Sequence, residues 1–257
     1  MTRGVSMTPV QADLVSSYRR YFQVVPAVTP ALVREAQRIR FQVYCEDLGF
    51  EDASRFPDGC EQDAFDDNAR HCLLQHRPSG EYAGCVRLVL ADVEKPDSPF
   101  PFEVVASKSL RRDLVDPLRM ERRRFGEISR LAVKREFRRR RGEADSADGV
   151  SGLDSDGRMT PNERRTLPHI AVELYLAAAS IALREGCTSV FAMMEPRLTR
   201  HMRFYGLEFE QVSDVVIHRG ARAVYHITRE RLFTSLTPAL RALLDSIASD
   251  IPDNEAC

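Results

Sequence analysis

The sequence predicts an α/β fold organised as one domain over residues 1–257. Three observations carry that expectation. Short strand-like apolar runs alternate with segments whose apolar residues fall three to four apart. Their order reads strand, helix, three strands, helix, strand, helix, two strands. No internal repeat divides the chain into copies.

Tyr21 to Val28 (YFQVVPAV) reads as a short strand closed by proline. Thr29-Pro30 then supplies an N-cap and a first-position proline for a helix through about Asp47, with Leu32, Ala36, Ile39 and Val43 as its core-facing stripe. Gly49 ends that helix, and residues 50–68 are polar and rich in turn formers. His71 to Leu74 and Tyr82 to Leu90 read as strands joined by the hairpin turn Arg77-Pro78-Ser79-Gly80. After a less regular stretch the strand pattern returns at Phe125 to Phe137, followed by a polar insertion loop over 142–165. Leu167 to Glu185 gives the strongest helix signal, with Ile170, Leu174, Ala178 and Ile181 on one face and Gly186 as its stop. Thr188 to Met194 reads as a buried strand, Pro196 to Tyr205 as a short helix, and Phe209 to Ile227 as a hairpin. An amphipathic helix over 229–250 is added at the end.

The totals exclude several classes. Lys and Arg number 37 against 38 Asp and Glu, so the chain as a whole is not polybasic. No stretch of about 18 residues is free of charge, so no membrane-spanning segment or integral membrane association is expected. Met1 to Leu14 has no apolar core of the secretory-signal kind. Six cysteines occur without a C-x-x-C pair or a His/Cys cluster at ligand spacing, which predicts free thiols and no metal site. The expected location is cytoplasmic.

One set of residues carries more. Arg40 is followed four residues on by Tyr44 and then by Leu48-Gly49-Phe50; Asp63 and Asp66 stand in QDAFDD; Arg87 stands in GCVRL; Glu127-Ile128-Ser129-Arg130 follows. Together they resemble the signature of the acyl-homoserine-lactone synthases: an Arg, an aromatic four on, an LGW-like triplet, a D-x-x-D, an Arg on a strand, and E-x-S-R. Tyr44 stands where Phe is usual and Phe50 where Trp is usual. The element order is that of the GNAT acyltransferase fold, a mixed, mostly antiparallel sheet flanked by helices. The second half, with RLAVKREFRRR, LPHIAVELYLAAASIALREG and MMEPRLTRHMRFYGLEFEQV, more closely resembles the PEP-CTERM/exosortase system-associated acyltransferases, relatives of the N-acyl amino acid synthases. The resemblance implies transfer of a long acyl chain from a thioester, on acyl carrier protein or CoA, to a small-molecule amine. The thioester is then a co-substrate, and no bound cofactor is implied.

Aminolysis of a thioester needs a neutral amine, a polarised carbonyl and a proton for the leaving thiolate, and it needs no covalent acyl-enzyme. Glu127 is the candidate base, because a carboxylate half-buried in a strand is pushed toward neutrality by desolvation. The competing reading is a strand Glu paired with a nearby arginine. Ser129 and Arg130 complete the candidate catalytic strand. Three residues separate Glu127 from Arg130, so a regular strand would send them to opposite faces, and a β-bulge is required to bring both into one cleft. Arg87, flanked by Val86 and Leu88, needs an acidic partner in Asp63 or Asp66; in the related synthases these positions help shape the amine-substrate site. Arg40 and Tyr44, at i and i+4, either cap the amine pocket with Phe50 nearby or pack with Arg40 at the rim.

The even charge totals conceal a local excess. Residues 111–141 hold thirteen Lys and Arg against five Asp and Glu, which calls for an anionic partner. Arg135, Arg138, Arg139, Arg140 and Arg141 are expected to project to solvent beside the cleft and dock the acyl donor. An acyl pocket is expected between the 82–90 strand, the 127–133 strand and the 167–183 helix, where a GNAT sheet splays. Two alternative readings compete with it: a true homoserine-lactone signal synthase, and a non-enzymatic basic nucleic-acid or regulatory module. The second is disfavoured because few aromatics interleave the arginines for base stacking, so no nucleic-acid partner is expected.

Overall fold

The computed structural model describes residues 9–138 and 169–252. The expected 142–165 loop, with Arg139, Arg140 and Arg141, lies outside the described residues.

The strands are β1 (Phe22–Pro26), β2 (Ala69–His76), β3 (Tyr82–Val89), β4 (Phe125–Val133), β5 (Ser189–Met194), β6 (Glu210–Gln211), β7 (Val216–Ile217) and β8 (Ala221–Thr228). The helices are α1 (Pro9–Tyr21), α2 (Pro30–Phe41), α3 (Pro101–Ala106), α4 (Ile170–Arg184), α5 (Pro196–Phe204), α6 (Arg229–Ser235) and α7 (Pro238–Asp250). The sheet runs β1-β2-β3-β4-β5-β8-β6, with β7 pairing β8. Among the described residues only β4 and β5 are parallel; every other pairing is antiparallel.

One face of the sheet packs on α4. Val24, Leu74, Val86, Leu88, Ile128 and Val133 meet Ile170, Leu174 and Ala178, and α7 adds Leu240, Leu243 and Ile247. Every residue of α4 from Ile170 to Ala182 is buried, because α7 covers its outer side. The expected single stripe is therefore a helix buried all round, apolar except at Glu173 and Ser180. The opposite face is shared by α2, through Ala36 and Ile39 on Leu73, Cys85 and Ala132, and by the segment around α3, where Phe100, Phe102, Phe125 and Phe191 form an aromatic cluster.

Two features of β4 position the site. Its pairing with β5 begins at Phe125↔Ser189 and ends at Ile128↔Ala192. Beyond that point β4 continues on β3 to Val133, while β5 continues on β8 to Met194↔Ala223. The sheet splays there. Within β4, Ser129 pairs with Arg87 and Ala132 with Cys85, so two steps on β3 face three steps on β4. This is the bulge the Glu127–Arg130 spacing requires, and its extra residue, Arg130, has φ 50°.

Two expected elements are corrected and one is added. The strand ends at Val133 instead of running to Phe137, since Arg135–Phe137 turns as a 3-10 helix. The 229–250 helix is two helices, broken where Thr237 caps α7 and Pro238 occupies its first turn. α1 precedes β1 and packs on α7, where no helix was expected.

Candidate active site

The Thr29 hydroxyl accepts the Leu32 N–H at 3.3 Å and opens α2 as anticipated. At Gln42–Asp47 the helix widens into a π turn, with Leu48 N–H reaching Val43 O. Gly49, at φ 62°, then reverses the chain. The Tyr44 carbonyl accepts from both Phe50 N and Glu51 N, at 2.7 and 3.1 Å. This local folding delivers Tyr44, Phe50 and Glu51 to one place. The Tyr44 and Phe50 rings stack with centroids 6.4 Å apart, and the Tyr44 hydroxyl donates to Leu131 O at 2.8 Å on the bulge.

Arg40, Arg87 and Arg130 alternate with Asp66, Asp63 and Glu61 in a closed ring. Arg40 donates to both Asp66 oxygens at 2.7 and 3.0 Å. Arg87 bridges Asp66 at 2.7 Å and Asp63 at 2.6 Å. Arg130 joins Asp63 at 2.8 Å to Glu61 at 3.1 Å, and Glu61 closes the ring on Arg40. Three positive and three negative groups balance. Arg40 and Arg87 are both 0% exposed, so the expectation of Arg40 at a rim is corrected: it is fully buried, held there by the Glu61 and Asp66 carboxylates. Arg87 also donates to Ser129 Oγ at 3.1 Å, which ties the ring to β4.

The electrostatics follow from the pairing. Burial pushes the Asp66 carboxyl up, but Arg40 and Arg87 overcome it and hold the group well below the usual carboxylate range. Asp63 is held low in the same way by Arg87 and Arg130. Burial works against the Arg40 charge, yet Glu61 and Asp66 raise its pKa further. His71, 3.6 Å from Asp66, is pushed down to about 4 by burial and by the Arg40 charge, so its imidazole is neutral.

Glu127 lies two residues before Ser129 and behaves oppositely. It is 2% exposed, covered by the α3 segment, and one oxygen accepts the Phe102 N–H at 2.8 Å. Burial pushes its pKa up to about 8, although the Phe102 hydrogen bond and the Arg87 and Arg130 charges pull the other way. It is therefore a carboxyl that gains and loses a proton near neutrality.

The structure thus brings together Arg40, Asp63, Asp66, Arg87, Ser129 and Arg130, with Tyr44 against Arg130, Phe50 stacked on Tyr44, and Glu127 beside them. It does not do so for the basic run. Arg135 is exposed, but Arg138 is buried, donating to Val133 O at 2.6 Å and to Asp47 at 2.9 Å. The expectation of a solvent-facing Arg138 is corrected: it pins the end of β4 to the π turn. The expected acyl pocket between β3, β4 and α4 is filled by packed core. An almost wholly apolar slot lies one strand further, among Ile128, Tyr175, Ala179, Val190, Phe209 and Ile227, with room of about 30 Å³.

Glu61 was missed by sequence reasoning, and a count could have found it. Three arginines against Asp63 and Asp66 leave one buried cation over, and such a charge demands a third acid. Glu51 and Arg219 were missed as well. The turn-rich 50–68 stretch and the 209–227 hairpin carry no periodicity that says which polar residue turns inward.

Residues 39–145 match the family model described as an acetyltransferase (GNAT) domain. The solved structure of TofI in a ternary complex with an inhibitor and MTA superposes with a TM-score of 0.54 at 21% identity, covering 85% of this chain and 99% of that one. The fold is that of the GNAT acyltransferases. FeeM, an N-acyl amino acid synthase from uncultured soil microbes, shares this GNAT architecture with a TM-score of 0.52 at 12% identity over 86% of this chain and 97% of its own. BjaI, a CoA-dependent acyl-homoserine lactone synthase solved with SAM and isopentyl-CoA, gives 0.51 at 19% identity over 90% and 98%. No curated protein matches the chain.

Proposed function

We propose that this protein is an N-acyltransferase that moves a long-chain acyl group from an acyl carrier protein or CoA thioester to an amine, an amino acid or related metabolite. The observation that carries this reading is Glu127, a carboxyl titrating near 8, placed on a bulged strand between a balanced ionic ring and the splay of the sheet. The GNAT match and the activities printed for FeeM and BjaI support it.

In this reading Glu127 takes the ammonium proton of the acceptor through a water, since α3 covers it directly. The ring fixes Ser129 and Arg130 so that their polar groups and the bulge N–H groups meet the thioester carbonyl. Arg40, Asp63, Asp66 and Arg87 shape the acceptor site with Tyr44 and Phe50. The apolar slot beside Ile128 widens to take the acyl chain. Arg135, with Arg139, Arg140 and Arg141, steers the anionic donor. Among the described residues no helix is long and apolar enough to cross a membrane. We place the protein in the cytoplasm as a single-domain enzyme of the PEP-CTERM/exosortase-associated kind.

A second reading, homoserine-lactone synthesis, is favoured by the convergence of the synthase-like residues on one ring. Mass spectrometry of lipids from cells overexpressing the protein separates the two. A new N-acyl amino acid supports the first and a new N-acyl lactone the second, while no new N-acyl species against an empty vector contradicts both.

A further inference from the structure

The motif residues account for the ring, but not for what faces it across the splay. Among the described residues only two non-glycines lie in the left-handed region, Arg130 at φ 50° and Arg219 at φ 51°. Such a conformation costs on the order of 1–3 kcal/mol and persists only where its surroundings hold it. Both of these arginines address the same carboxylate. Arg219 Nη2 donates to Glu51 Oε1, and Arg130 Nη2 lies 4.0 Å from the same oxygen. Arg130 comes from the bulge of β4, on one bank of the splay. Arg219 comes from the β7–β8 turn, on the other. Arg222, on β8, sets its guanidinium 6.0 Å from the Phe50 ring centroid and 3.5 Å from Glu195. Arg130 sits 5.9 Å from the Tyr44 centroid, so the stacked Tyr44–Phe50 pair is flanked by a guanidinium from each bank.

Glu51 is therefore a carboxylate suspended between cations of the two banks, at the open end of the splay. It stands on the loop after Gly49, and its other oxygen pairs, among the described residues, with the exposed Arg55 at 3.2 Å. We infer that Glu51 occupies the seat of the acceptor's own carboxylate, and that Arg219 and Arg222 read that group when the acceptor displaces Glu51. This rests on the N-acyltransferase reading and narrows it to amines that carry a carboxylate.

The physical argument is one of charge conservation within a desolvated place. Guanidinium forks match carboxylate geometry. A group that removes Glu51 without bringing a carboxylate leaves Arg219 unpaired, which is costly in a half-buried site. An amide or ester acceptor must displace Glu51 with no such compensation, so the seat discriminates against it.

The test uses two product-like probes that differ only at the end in question, N-dodecanoylglycine and N-dodecanoylglycinamide, titrated calorimetrically into the full-length protein. The wild type is expected to bind the carboxylate probe about tenfold more tightly than the amide. Arg219→Gln is expected to abolish that preference, with the amide binding more tightly than to the wild type because its entry no longer strands a guanidinium. Glu51→Gln, which removes the competitor, is expected to strengthen binding of the carboxylate probe. Arg219→Lys keeps the charge, and is expected to retain part of the preference should Arg219→Gln melt early. Equal affinities of the wild type for both probes, or an undiminished preference in a folded Arg219→Gln variant, overturn the inference and leave the acyltransferase reading standing. If neither probe binds the wild type at all, that reading is removed, and the inference with it.

Discussion

Two sets of acids lie within one strand's length of each other and titrate in opposite directions. Asp63 and Asp66 are largely desolvated and yet held well below the carboxylate range, because each touches two guanidinium groups. Glu127, buried more deeply, rises to about 8 because its one direct partner is a neutral N–H. Burial alone does not decide ionisation; the partner does. The difference divides the labour. The ring supplies fixed charge that holds Ser129 and Arg130 in a strained bulge, and Glu127 is the proton acceptor of the proposed reaction, with a pKa near the operating range such a group needs. Glu173 on α4 is a control for this comparison. Its pKa is also raised to about 8 by burial, and its Oε2 has no hydrogen-bond partner, but it lies on the other face of the sheet, away from the ring.

The largest effect is expected from breaking the ring. Arg87→Leu leaves Asp63 and Asp66 without their shared cation and should cost about 3–5 kcal/mol, read from the urea midpoint. An unchanged midpoint would show that the ring carries no structural charge balance. Glu127→Gln comes next. It keeps the shape and removes the acceptor, so acyl transfer should fall by roughly 10²–10⁴-fold with no loss of melting temperature; more than about a tenth of wild-type turnover would count against the role.

A smaller effect tests the control. The folded protein holds the Glu173 proton between the unfolded carboxyl pKa and about 8, whereas the unfolded chain releases it, so stability falls as pH rises through that window. The slope is about 1.4 kcal/mol per pH unit for such a group. Glu173→Gln should remove it, giving a flatter dependence of urea midpoint on pH between 5 and 8 without altering acyl transfer. A steeper dependence in the variant would contradict the assignment. The smallest stability effect belongs to Arg135→Glu. This exposed residue should leave stability within about 0.5 kcal/mol, while the Michaelis constant for acyl carrier protein rises and its salt dependence flattens. An unaltered salt slope removes Arg135 from donor docking.

Much of this arrangement was legible in the residues. The Thr-Pro pair marked the start of α2, the Glu127–Arg130 spacing demanded a bulge, and an Arg between Val86 and Leu88 demanded an acid. The same Thr-Pro signature, at Thr237-Pro238, also announced the break before α7, although the leucine periodicity across it suggested a continuous helix. What stayed hidden depends on contacts distant in sequence. Arg138 sits in a run of arginines that reads as a solvated face, and only the Asp47 carboxylate and Val133 O, brought beside it by folding, bury it. Glu61 stands in a stretch without periodicity, and α1 is secured by α7, more than 200 residues away.

The most direct test of the division of labour is the pH profile of kcat/KM for acyl transfer, measured with two acceptor amines of different basicity. The account predicts a rise with unit slope to an inflection near 8 that stays in place when the acceptor is changed and disappears in Glu127→Gln. An inflection that moves with the acceptor's own pKa, or that survives in Glu127→Gln, would show that the proton acceptor is not Glu127.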